Sequence, residues 1–136
     1  MQAERTALQA AKISMDTSTD TTDNGERESA QVAIWLSMAL AHEGKQAEAA
    51  QTIDPVVTMY RGLLKRNHGD QWLPLEFAEA LYAQSLTDER HRAALLHEAS
   101  GLVNHLTPAI ARLHDTRQWR TRIEAAERTD HVATVP

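Results

Sequence analysis

AQVAIWLSMALAHEGKQAEAAQTIDPVVTMYRGLL, from Ala30 to Leu64, decides how this chain folds. Two helical patterns meet at Gly44. The spacing predicts a first helix from about Glu28 to Glu43, with Val32, Trp35, Leu36, Ala39 and Leu40 on its apolar face and Ile34 and Met38 on a flank. Gly44 supplies the left-handed stop. The second pattern opens near Gln46 and keeps one stripe, Ala49, Ile53, Val56, Val57, Tyr60, Leu63 and Leu64. The stripe crosses Pro55, which costs about 3 kcal/mol inside a helix. Asp54-Pro55 also suits a cap and first-turn proline opening a new helix. The unchanged phase of the stripe favours one kinked helix.

Working outward, residues 65–70 form a polar, glycine-bearing connector, and Asp70 is placed to cap a third helix from about Gln71 to Leu86. Phe77, Ala78, Leu81 and Tyr82 mark its inner face. A turn at Thr87-Asp88-Glu89 leads to a fourth helix from about Arg90 to Leu106, with Leu95, Ala99, Leu102, Val103 and Leu106 inward. Thr107-Pro108 opens a short segment holding Ile110 and Leu113. Asp115 or Thr116 caps a last helix to about Arg128, carrying Trp119 and Ile123. At the start of the chain, residues 1–13 are Ala-rich and helix-permitting. Residues 14–28 are so polar that they are expected to be a flexible linker, and residues 129–136 a disordered tail. The domain itself is expected over residues 29–128.

Composition agrees with an all-α fold. Hydrophobic residues make up 42% of the chain but aromatics only 4%, so burial falls to Leu, Ala, Ile and Val, which suit close-packed helices. Five glycines and four prolines are too few to turn many short strands. The absence of cysteine excludes disulfides and thiolate metal sites. No apolar run approaches the roughly 20 residues of a membrane span, and the N-terminus lacks a signal-peptide pattern. The expectation is a cytoplasmic protein with no membrane partner. A net charge of −5 argues against nucleic acid as a partner.

The two hairpins also repeat. Leu36-Ser37-Met38-Ala39-Leu40 aligns with Phe77-Ala78-Glu79-Ala80-Leu81, and Ala49, Ile53, Val56, Val57 and Tyr60 align with Leu95, Ala99, Leu102, Val103 and Leu106. The segment Ala33–Val57 resembles a tetratricopeptide repeat (TPR). Leu36, Ser37 and Leu40 fit the large-small-large places of that family's first helix. Gly44 fits its turn glycine, Glu48-Ala49 the opening of its second helix, and Ile53 and Val56 its later core places. Ala33 departs from the family's early aromatic, and the second unit has an enlarged turn. The resemblance implies antiparallel helical hairpins stacked as a short right-handed superhelix with a C-terminal capping helix. It further implies a protein–protein interaction module, an adaptor or scaffold, that binds a peptide or helix in an apolar groove. The groove residues carried over are Ile34, Met38 and His42 with Trp72, Leu75, Glu79 and Tyr82. Two repeats are few for a free-standing solenoid, so burial of exposed faces in a homodimer is a further expectation.

Chemistry-bearing patterns are sparse. His91, Glu98 and His105 recur every seven residues on one helix, but climb about 10 Å per step, too far for one ion. There is no H-E-x-x-H, no G-x-S-x-G and no glycine-rich phosphate loop. Neither a metal, a cofactor nor an enzyme activity is expected. Arg112, Arg117, Arg120, Arg122 and Arg128 interleave with Glu124 and Glu127, which predicts surface ion pairs. The alternative to an interaction module is a small helical-bundle enzyme or ligand-binding protein with a pocket near Trp72 and Tyr82.

Overall fold

The computed structural model describes residues 23–134, with side chains for 25–130. Residues 1–13 and most of the expected linker therefore lie outside the described residues. Among those described, the chain is all-helical: α1 (Asp23–His42), α2 (Gln46–Arg66), α3 (Leu73–Ser85), a 3-10 turn (Glu89–His91), α4 (Arg92–Asn104), α5 (Pro108–Ala111) and α6 (His114–Thr134), with no strand.

The α1–α2 hairpin turns where the sequence places it. Gly44 has φ of +81°, and no other described residue has positive φ. Its N–H donates to the Ala41 carbonyl at 3.0 Å while the Lys45 N–H donates to the Leu40 carbonyl at 2.9 Å. That pair of bonds is the Schellman stop, which satisfies the last carbonyls of α1 and demands a residue free to adopt the left-handed region. Helix α2 runs through Pro55 without a break, burying Ala49, Ile53, Val56, Val57, Tyr60 and Leu63 on one side. The proline is exposed, so the carbonyl it leaves without an intrahelical donor, four residues earlier at Gln51, lies on a solvent-facing side as well. At the hairpin's close approach, Ser37 is fully buried and its Oγ–H donates to the Ala49 carbonyl at 2.9 Å. A small residue there lets the helices approach, and the bond satisfies its hydroxyl.

Consecutive long helices pack on each other: α1 on α2, α2 on α3, α3 on α4, and α4 on α6 across the short α5. Alternate helices also meet, α1 with α3 and α3 with α6. The main core runs through Ile34, Ile53, Tyr60, Leu81, Val103 and Ile123. A smaller cluster of Leu36, Leu40 and Ala49 closes the outer end of the first hairpin. Exposed Arg61 spans from α2 to Glu98 on α4, with bonds of 2.9 and 3.2 Å.

Several expectations are corrected. The inner stripe of α1 is Ala30, Ala33, Ile34 and Ser37, all buried, whereas Trp35 is 38% exposed. The i, i+3, i+4, i+7 spacing of this stripe is helical, and beside Ile34 its members are small, which permits close approach, while Leu36 and Leu40 are buried as expected. On α4, Leu96 joins Ala99 and Val103 as the buried residues; Leu95 and Leu102, and Leu106 just past the helix end, are half-buried. Helix α1 begins at Asp23, inside the segment expected to be a linker. Arg27 there pairs with Glu76 and Asp70, partners more than forty residues away that local composition cannot reveal. Helix α6 begins at His114, so Asp115 and Thr116 lie in its first turn, and it continues to Thr134, past the expected end at Arg128. No glycine or proline interrupts that span.

Candidate functional site

Alternate helices α1, α3 and α6 wall an open cavity of about 860 Å³. Its placement starts at Asp70, whose Oδ1 accepts the N–H groups of Trp72 and Leu73 at 2.9 and 3.3 Å. That cap fixes the entry to α3 and leaves Trp72 49% exposed at its edge. From there Trp72, Leu75, Glu76 and Glu79 follow the helical period and turn one face into the cavity. Helix α1 contributes Arg27, Gln31 and Trp35, one turn apart. Helix α6 contributes Thr116, Trp119 and Arg122, again about one turn apart, with Leu113 just before it. All three tryptophans of the chain line this one space.

The rings form a connected wall. Trp119 lies 5.6 Å from Trp35 and meets Tyr82 edge-on at 5.8 Å. The Arg122 guanidinium stands over Trp119 at 4.7 Å, Trp35 at 5.7 Å and Tyr82 at 6.0 Å. Burial holds the Tyr82 hydroxyl above its ordinary pKa, with Arg122 opposing.

At one end sits a saturated charge cluster. Arg27 donates through Nε and Nη2 to both oxygens of Glu76 and through Nη1 to Asp70 at 2.8 Å. The Tyr60 hydroxyl donates to Glu76 Oε1 at 3.0 Å, and Gln31 donates to Tyr60. The bonds to Glu76 raise the Arg27 pKa further. Burial, and the neighbouring Glu76 charge, push the Tyr60 hydroxyl up. At Asp70, burial pushes upward, but the Trp72 N–H and Arg27 outweigh it and hold the carboxyl below its usual range.

Glu79 is the opposite case. It is 7% exposed, lines the cavity and makes no hydrogen bond among the described residues. Burial, reinforced by Glu76 and Asp115 and opposed by Arg122, raises its pKa to about 8. Thr116 is 1% exposed and its Oγ1 also lacks a partner. Buried polar groups are normally bonded, so the sealed Thr116 hydroxyl is an exception in the cavity wall.

Of the residues the resemblance put in a groove, Trp72, Leu75 and Glu79 line this cavity. Ile34 is fully buried in the core, Met38 is half-buried against it, and His42 is exposed near the end of α1. Tyr82 stands behind the lining, packed on Trp119. Trp35, Thr116, Trp119 and Arg122 were not in that set. Their spacing on α6 was legible, but nothing local placed α6 beside α1. Arg120 also turns inward, its Nη2 donating to the Val103 carbonyl at 2.8 Å. None of the five C-terminal arginines pairs with Glu124 or Glu127 among the described residues. His91 bonds Asp88 and His105 bonds the Gly101 carbonyl.

Compared with family models, curated proteins and solved structures, the chain matches none. Among the described residues, no helix is long and apolar enough to cross a membrane.

Proposed function

We propose that this protein is an interaction module that receives a peptide or helix of a partner protein in the cavity between α1, α3 and α6. The observation that carries this reading is the tryptophan-walled opening, with Trp35 38% and Trp72 49% exposed. Exposed tryptophan beside buried apolar surface is the composition of binding hot spots. The packing of α1 on α2, α2 on α3 and α3 on α4, with α1 and α6 both meeting α3, is compatible with stacked hairpins and supports it. Leu36 and Phe77, equivalent in the repeat, are both buried, as are Ser37 and Ala78.

The test uses surface positions. Met38 and Tyr82 pack against neighbours, so substitutions there would damage the fold. Trp72→Ala removes an exposed ring and spares the core. A displayed library of random dodecapeptides, selected on wild type and counter-selected on Trp72→Ala, should yield peptides that bind only the former. Failure to enrich any such peptide would refute the reading.

A second reading, a small-molecule pocket, draws on Glu79, whose raised pKa resembles that of groups poised to exchange protons. It predicts binding, weakened by Glu79→Gln, of compounds smaller than a peptide.

A further inference from the structure

The cavity contains an unanswered chemical demand. Glu79 is largely buried, makes no hydrogen bond among the described residues and turns toward the open cavity. Its carboxylate, when ionised, is an acceptor, and it lines a space roomy enough for a side chain. The wall beside it is indole, whose faces attract cations; Arg122 already occupies such a face. The lining charges lean the same way. Arg27 is fully engaged by Glu76 and Asp70, leaving Glu28, Glu79 and Asp115 against Arg122 alone.

We infer that the groove selects a partner segment by a lysine or arginine side chain, whose cation sits against the Glu79 carboxylate while its methylenes lie along Trp35 and Trp72. This rests on the interaction-module reading and adds the chemistry of the partner. The cation supplies the missing partner that makes a buried carboxylate tolerable. Arg122, held on the rings, keeps the unoccupied cavity from carrying an unopposed negative field.

A proton is coupled to the event. Glu79 faces Glu76 on its own helix, Asp115 and Arg122 on α6, and Tyr60 on α2, while Arg27 and Glu28 approach from α1. Pairing with a cation requires ionised Glu79. With its pKa at about 8, a histidine-free basic peptide should bind up to about fifty-fold more weakly at pH 6 than at pH 8. Binding at pH 7 should release close to one proton, read by calorimetry in buffers of different ionisation enthalpy.

The peptides selected on wild type and lost on Trp72→Ala decide the matter. The expected result is a shared Lys or Arg, with at least tenfold weaker binding when it is replaced by norleucine or when the protein carries Glu79→Gln, and no pH dependence in that variant. Wild-type proton release, abolished by the norleucine peptide, tests the same contact without altering the protein. Tryptophan-dependent peptides that are neutral would overturn this inference and leave the module reading intact. So would acidic peptides that depend on Arg122 and tolerate Glu79→Gln. If no tryptophan-dependent peptide emerges, the module reading falls with it.

Discussion

Glu79 makes the free protein's stability depend on pH in an unusual direction. Its folded-state pKa is about 8, against 4.5 for an unburied glutamate. Between those values the native state holds a proton that the unfolded chain has released. The contribution of Glu79 is therefore fully present below pH 4.5 and declines as pH rises to 8, by up to about 5 kcal/mol over the interval. That is a large share of the roughly 5–15 kcal/mol that holds a typical domain together. For a urea dependence near 2 kcal/mol per molar, the denaturation midpoint should fall by roughly 2 M. The assay is urea unfolding followed by circular dichroism at intervals from pH 5 to pH 8, on wild type and on Glu79→Gln. Glutamine preserves shape and carries no charge. Every other ionisable side chain is common to both proteins, so the difference between the two curves isolates Glu79. The variant should gain on wild type steadily as pH rises. A difference that stays constant from pH 5 to pH 8 would refute the burial argument.

Other substitutions test the surrounding structure. Gly44→Ala forces a Cβ into the left-handed region at φ +81° and should cost about 1–2 kcal/mol in chemical denaturation; Gly44→Asn should cost less. Thr116→Val removes a hydroxyl that has no partner, so the melting temperature should hold or rise slightly, a gain of up to about 1 kcal/mol. Leu81→Ala, at a fully buried position, should lose about 2–5 kcal/mol in the same measurement.

The first hairpin was the most legible part of the chain. Gly44 announced the turn, and a stripe that kept phase across Pro55 announced one helix. Both signals are local, and no distant residue competes with them. The face of α1 was not legible in the same way. The helical spacing puts Trp35 on the apolar face, but Ala30, Ala33 and Ser37 take the seam with Ile34, and Trp35 is 38% exposed. Half of the cavity could be anticipated from α3, where a carboxylate interrupts the apolar run Phe77–Leu81. The α6 half could not. Thr116, Trp119 and Arg122 acquire meaning only when α6 is laid beside α1 and α3, and that placement is set by packing across four helices.

The Arg27 cluster has a bearing on how the molecule comes apart. Stacked hairpins held only by nearest-neighbour contacts can melt piecemeal. Here a single guanidinium from α1 is gripped by carboxylates from α3 and its approach loop, and a tyrosine from α2 is tied to one of them. Peeling either hairpin away would strand those groups half-buried without their counter-ions. The arrangement rivets the two units together, so they should be lost in one concerted transition, with calorimetric and van't Hoff enthalpies in agreement.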